Sequence, residues 1–211
     1  MLETNEALWG LIQKSPVRLK WEIFFYKALH RTQKIEERGI CHIYNEDETM
    51  EHILTGCEHA TRKTIWNSAK DLWPHEEGTW PRSLLGTIIG CNTLIVETTK
   101  EIKDRWGQTQ KIKRNDQGAM RLLKILISES AYMIWALRCE RIISGQERTE
   151  DEIKVTWRKG INRRLSKDEV TATKVLRWKQ YVNLVKNMWG KALSKRYRDL
   201  PENWINQNVV F

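Results

Sequence analysis

Cysteine is scarce in this sequence, and neither a disulfide framework nor a signal peptide is evident. These absences narrow the class of protein. Four cysteines in 211 residues form no disulfide framework. The N-terminus has no basic region followed by an apolar stretch, so no signal peptide is predicted. We therefore expect an intracellular protein, of the cytoplasm or nucleus, whose thiols are free or metal-bound.

Familiar catalytic motifs and repeats are also absent. The sequence contains no phosphate-cradling glycine loop, no Ser-His-Asp order, no internal repeat and no low-complexity segment. Apolar residues make up 40% and charged residues 30% of the chain, which is typical of a soluble globular protein. The length suffices for one sizeable core, or for a core with a small appended module.

Charge is unevenly placed along the chain. Residues 1–99 carry 11 Lys/Arg and 14 Asp/Glu, a net charge of −3, whereas residues 100–211 carry 25 and 13, a net charge of +12. A basic half of this kind indicates a polyanionic partner, with nucleic acid favoured over an anionic membrane surface. The alternative is a solvated helical surface without a partner.

The most apolar stretch is MRLLKILISESAYMIWALRCER, residues 120–141, which ends shortly before Gly145. Its apolar residues follow the 3.6-residue period of a helix and also occupy much of the remaining circumference. A helix of that composition is usually buried on several sides. Lys124, Glu129 and Arg138 interrupt it too often for a membrane span. We predict the central helix of the fold here.

The other elements are predicted to be helical as well. Ser15-Pro16 indicates a helix start, with the helix continuing to residue 31, and a second amphipathic helix covers 61–73. For the apolar run 84–96 a helix is the first choice and a strand the alternative. A helix over 150–165 begins with an acidic turn, and Ser166 with Glu169 predicts a capping box that opens a long helix to Tyr197.

These elements predict an all-α fold, a single compact helical domain around the central helix with a small Cys/His-bearing segment near residue 50. Three parts follow along the chain. Residues 1–97 form an N-terminal helical part that contains the segment 41–57, residues 98–117 a charged loop or linker, and residues 118–211 a basic helical part.

The strongest local motif is CHIYNEDETMEHILTGC, in which Cys41, His52 and Cys57 are candidate ligands of a zinc knuckle. The segment resembles the zinc-binding module that follows the reverse transcriptase in fungal LINE-type retroelements, where a C-x2-C pair precedes a Glu-His-Ile-Leu-type run and a last Cys. FYKALH (25–30), residues 89–91 and ILISESAYMIWALRCER (125–141) match the flanking regions. The resemblance covers most of residues 18–145 and is weak in the last sixty residues.

The resemblance implies a nucleic-acid-binding module, and it implies no polymerase or nuclease activity because reverse transcriptase and RNase H motifs are absent. The chain departs from the pattern at Tyr44, which replaces the second Cys. Only His42 or His59 could then supply the fourth ligand that structural zinc requires. We expect no cofactor and less than half an equivalent of zinc, with zinc at Cys41, His52 and Cys57 as the alternative.

Basic and aromatic residues interleave in the last sixty residues, as in proteins that neutralise phosphates and stack on bases. Trp178 and Trp189 join an apolar stripe, so we expect them in the core. The predicted nucleic-acid-binding residues are Arg158, Lys159, Arg163, Arg164, Lys167, Lys174, Arg177 and Lys179.

Polar residues inside the most apolar helix are candidates for chemistry. Ser128, Glu129, Ser130 and Tyr132 offer hydroxyls and a carboxylate that could exchange protons with a substrate. Satisfied structural groups are the alternative interpretation, since buried networks also place carboxylates in helices.

Two functions from different classes follow. The first is a non-catalytic RNA-binding protein, derived from a retroelement module and domesticated by its host, as a start Met and a dismantled zinc site suggest. The second is an RNA-dependent enzyme, an acyl or peptide-bond transferase that uses aminoacyl-tRNA docked on the basic half, with acid-base work near Glu129. A structural interaction protein is a third reading. Oligomeric state is not predicted.

Overall fold

The computed structural model describes residues 19–29, 39–41, 43–75, 77–103, 105–174, 179–207 and 209–211. Six α-helices and one two-stranded antiparallel sheet lie in these residues. The helices are α1 (Leu19–Leu29), α2 (Ala60–Leu72), α3 (Leu85–Ile89), α4 (Gln117–Ser144), α5 (Glu150–Lys174) and α6 (Lys179–Ser194). No helix among the described residues has the length and apolar composition to span a membrane.

Helix α4 is the predicted central helix, and its burial confirms that role. Asp116 caps its first turn by accepting a hydrogen bond from the Ala119 N–H at 2.9 Å, and Gly145 ends it in the left-handed conformation at φ +67°. Fourteen of its residues are buried. Helices α1, α2, α5 and α6 all pack against it. Gly118 allows the closest approach, because a Cβ there would lie 3.2 Å from the Met188 backbone nitrogen.

The N-terminal prediction is confirmed only for the described part of the helix. Trp21, Phe24 and Phe25 on α1 are buried, and the Phe24 ring contacts Tyr132 and Trp135 of α4, each at a centroid distance of 6.1 Å. The predicted Ser15-Pro16 start lies outside the described residues. Helix α2 matches the predicted 61–73 within a residue, and its cap is His59, which accepts a hydrogen bond from the Thr61 N–H.

The prediction of an all-α fold is wrong in one segment. Residues 98–117, expected to form a charged loop or linker, contain the strands β1 (Glu97–Lys103) and β2 (Thr109–Asn115) and the start of α4. The strands pair antiparallel, with Glu97 opposite Asn115 and Lys103 opposite Thr109. Apart from Ile102 and Ile112 the strand residues are polar, so the alternation of apolar residues that reveals most strands is missing. The run 84–96 forms α3, a 3-10 turn at Cys91–Thr93 and an extended exit.

The helix boundary predicted at Ser166 is also wrong. Ser166 lies inside α5, which runs unbroken from Glu150 to Lys174, and α6 begins at Lys179. The capping box lies earlier instead. The Thr149 N–H donates to the Glu152 carboxylate at 2.8 Å, and the Glu152 N–H donates to Thr149 Oγ1 at 3.3 Å. Glu169 is therefore a mid-helix residue and not a capping residue.

Candidate functional site

The Cys/His segment folds so that its three candidate ligands meet. The Tyr44 and Asn45 N–H groups both donate to the Cys41 carbonyl oxygen, at 3.2 and 2.7 Å, which closes a tight turn with Asn45 at φ +52°. A π-helical turn, His52–Gly56, then brings Cys57 back, and the Cys57 N–H donates to the His52 carbonyl oxygen at 2.7 Å. One ligand atom from each of Cys41, His52 and Cys57 lies within 4.8 Å of the other two.

This geometry fits three ligands of one tetrahedral metal ion. The Cys41 and Cys57 sulfur atoms are 3.8 Å apart, and two thiolates bound to one zinc ion at about 2.3 Å each are separated by roughly the same distance. The His52 Nε2 atom is buried and has no hydrogen-bond partner among the described residues. Burial raises the pKa of the Cys57 thiol, and its sulfur lies within weak hydrogen-bond distance of the Cys41 sulfur.

No fourth ligand joins the three in the described residues. Tyr44 occupies the position of the missing Cys; its side chain is 42% exposed and its ring meets the edge of His52 at 5.3 Å. His59 is committed elsewhere, because its Nδ1 accepts from the Thr61 N–H at 3.1 Å and its Nε2 lies 3.5 Å from a Glu147 oxygen. Burial and then Arg141 lower the pKa of His59. His42, the other alternative, lies outside the described residues.

Arginines border this segment on the side of α4. Arg138 Nε donates to the buried Glu48 carboxylate at 2.7 Å, and Arg141 lies 3.9 Å from its other oxygen. A cavity of about 20 Å³, room for a water molecule, lies among Glu48, Cys57 and the arginines. Glu48 therefore fastens the Cys/His segment to the central helix.

The predicted basic residues form an exposed face on α5, with one exception. Arg164 is only 7% exposed and lies 3.7 Å from the Glu129 carboxylate of α4, so it belongs to the core and not to the surface. Arg177 lies outside the described residues, as does Trp178. The remaining predicted residues, Arg158, Lys159, Arg163, Lys167, Lys174 and Lys179, are all exposed.

Acidic residues are missing from this face because the fold buries them. Beyond residue 152 the only acids of α5 are Asp168 and Glu169, which are 4% and 2% exposed, and α6 contains none. No carboxylate of the described residues lies within ion-pair distance of Lys159, Arg163, Lys167 or Lys174. Lys159, Arg163 and Lys167 follow each other at four-residue intervals, so they line one side of the helix. The result is a continuous cationic surface.

The two buried acids of α5 have different surroundings. Asp168 accepts hydrogen bonds from Arg121 at 2.6 and 3.1 Å, from the Trp189 Nε1–H at 2.9 Å and from the Tyr181 hydroxyl at 3.2 Å. Neither oxygen of Glu169 has a partner among the described residues. Burial, followed by the neighbouring Asp168 charge, raises the pKa of Glu169 to about 7. Trp189 is fully buried, which confirms its predicted place in the core.

The four candidate catalytic residues of α4 do not converge on one point. The Ser128 hydroxyl donates to the Ile125 carbonyl oxygen at 3.1 Å, and Ser130 Oγ accepts from the Trp157 Nε1–H at 2.9 Å. Glu129 faces Arg164, while the ring of Tyr132 packs edge-on against Phe24. The serines thus have the partners expected of structural groups. Ser130 and Glu129 both contact the basic helix, Ser130 through Trp157 and Glu129 through Arg164.

Comparison with protein-family models, with curated proteins and with solved structures finds no match to this chain.

Proposed function

We propose that this protein binds RNA through the exposed cationic surface of α5 and α6. The observation that carries the proposal is the segregation of charge: the described basic residues of these helices are exposed apart from Arg164, and the acids beyond the first turn of α5 are buried. Uncompensated lysines and arginines in a row attract phosphates and release their counterions. A merely solvated helix has no reason to bury every acid beyond its first turn.

Charge reversal on this surface tests the proposal. The variant Arg163→Glu/Lys167→Glu should weaken the binding of a short stem–loop RNA by more than about tenfold and lower the slope of log affinity against log salt by roughly 1.5, since two phosphate contacts are lost. Fluorescence anisotropy over a range of salt concentrations measures both quantities. Arg164 stays unchanged because reversing a buried, paired arginine would test folding instead.

A matched control makes the same change in net charge elsewhere. Lys70 on α2 and Arg82 in the following loop are exposed, and Lys70→Glu/Arg82→Glu should bind RNA within about twofold of the unaltered protein. Equal loss of affinity in both variants would mean that only overall charge matters. Unchanged RNA affinity in Arg163→Glu/Lys167→Glu would contradict the proposal that this surface binds RNA.

We propose, as a second function, acyl or peptide-bond transfer from aminoacyl-tRNA bound at this surface. The specific observation is that the underside of the basic helix holds carboxyl groups: Glu129 faces Arg164, and Glu169 has a pKa near 7. In such a transfer an amine attacks the ester carbonyl, the C–N bond forms, the C–O bond breaks, and the tRNA hydroxyl leaves with a proton. Positioning and one acid-base group suffice for this reaction.

A further inference from the structure

An exposed arm projects from the start of the central helix. The arm, residues 97–115, consists of β1, β2 and their connecting turn, and every described side chain from Thr99 to Asn115 is exposed. Its base is fixed: the Asp116 N–H donates to the Val96 carbonyl oxygen at 2.8 Å, and the Asp116 carboxylate caps α4 and accepts from Lys191 of α6 at 3.1 Å. The arm thus leaves a rigid base and enters solvent.

The two faces of the arm differ in character. On one face, Lys111 lies 3.7 Å from Glu101 and Lys113 lies 3.5 Å from Glu97, so these cross-strand charges compensate each other. On the other face, Ile102 and Ile112 are diagonal neighbours in the strand register, and both are exposed. This second face therefore offers apolar surface that the described residues leave partly exposed.

The tip of the arm carries the most exposed large apolar side chain among the described residues. Trp106 is 83% exposed, and it lies between Arg105 and Gly107, whose φ of +80° forms the turn. An isolated two-stranded hairpin is only marginally stable in water and has no core of its own. The indole at its tip therefore adds nothing to a core. Exposed aromatic residues placed in this way mark contact sites.

The net charge of the arm favours an anionic partner. Residues 97–115 include six Lys/Arg and three Asp/Glu, a net charge of +3. The chain just beyond the base of the arm is joined to α5, because Arg121 contacts Asp168, the neighbour of Lys167. Positive charge next to an exposed indole fits nucleic acid whose bases are unpaired, since aromatic rings stack on such bases and basic residues neutralise the adjoining phosphates.

We propose that the arm binds an unpaired segment of RNA, with a base stacked on Trp106 and the backbone phosphates near Arg105 and Arg114. This inference rests on the proposed RNA binding by α5 and α6, and it adds a second contact with a preference for single strands. Helical RNA docks on the cationic surface, and the arm reaches the loop or free end beside it.

The variant Trp106→Ala tests the arm without altering its charge. It should weaken binding of a stem–loop RNA with an unpaired loop by about 5- to 100-fold, the range expected for losing one stacked base. Its affinity for a blunt duplex of the same length should stay within about twofold, with an unchanged salt slope. The control is Ile143→Ala, which removes an exposed apolar side chain from the last turn of α4, about 40 Å along the helix from the arm.

The outcomes separate this inference from the function on which it rests. If Trp106→Ala binds the stem–loop like the Ile143 variant while Arg163→Glu/Lys167→Glu loses affinity, RNA binding stands and the arm inference is overturned. If Trp106→Ala loses equal affinity for the stem–loop and for the duplex, the preference for unpaired bases is overturned. If Trp106→Ala changes the oligomeric state and leaves RNA affinity unaltered, the arm inference is overturned in favour of contact between copies of the chain. Failure of the unaltered protein to bind either RNA overturns both proposals.

Discussion

Buried carboxylates paired with arginines connect the elements of this molecule residue by residue. Glu48 fastens the Cys/His segment to Arg138, Glu129 joins α4 to Arg164 of α5, and Asp168 of α5 holds Arg121 of α4. Each such pair is costly to bury and far costlier to break, because the remaining charge stays in the core without its partner. These pairs therefore fix how the helices are placed against α4.

Glu129 is the residue at which structural and catalytic roles can be separated. Glu129→Gln leaves the Arg164 charge without its carboxylate, so the variant should lose about 3 kcal/mol of unfolding free energy. The double variant Glu129→Gln/Arg164→Gln removes both charges and should regain most of this stability. If Glu129 does acid-base work, neither variant forms product from aminoacyl-tRNA, as measured by mass spectrometry of small products. If the stable double variant forms product at the rate of the unaltered protein, Glu129 has only a structural role.

Among the elements, the Cys/His segment brings together three candidate ligands of one tetrahedral metal ion, Cys41, His52 and Cys57. The turn at Cys41 keeps two N–H groups on the Cys41 carbonyl and a left-handed residue at Asn45, so the backbone at position 44 is held facing His52. Among the described residues no fourth sulfur or nitrogen joins these three. Glu48 and its arginines supply a connection to the core that does not require a metal.

The substitution Tyr44→Cys, which adds a candidate fourth ligand, tests this description of the segment. The unaltered protein, purified without chelator, should contain less than about half an equivalent of zinc, since structural zinc requires four ligands. Tyr44→Cys should raise the content to about one equivalent and raise the thermal midpoint in the presence of zinc. Tyr44→Phe is the control and should leave the zinc content unchanged. A full equivalent of zinc in the unaltered protein would contradict the expectation, and no gain in Tyr44→Cys would show that position 44 does not face the site.

The sequence predicted those elements whose own residues determine them. Helix α4 follows from its apolar composition and from Gly145 beyond its end, and α2 follows from its apolar period. The arm could not be predicted, because its strands are polar apart from Ile102 and Ile112 and show no apolar alternation. The Ser166–Glu169 pattern was misleading, because Glu169 is buried inside α5 and the capping contacts form at Thr149 and Glu152 instead. The burial of Arg164 among exposed basic neighbours likewise depends on Glu129, a residue on another helix.

At the scale of the whole molecule, charge is segregated in two ways. Along the chain the net charge changes from −3 in residues 1–99 to +12 in residues 100–211. In space the acids of α5 beyond its first turn are buried, and its described basic residues apart from Arg164 are exposed. Both features support the proposal that a polyanion binds at α5, α6 and the arm, which is the central proposal about function. The resemblance to a retroelement module stays a prediction that agrees with this surface.

The most direct test is to purify the protein at low salt without nuclease and to sequence the nucleic acid that accompanies it. We expect RNA to accompany the unaltered protein and to be largely absent from Arg163→Glu/Lys167→Glu, because counterion release at this surface provides the affinity. Enrichment of one or a few tRNAs would extend the result to the aminoacyl-tRNA enzyme. Protein that is free of nucleic acid and also fails to bind added RNA would contradict the central claim.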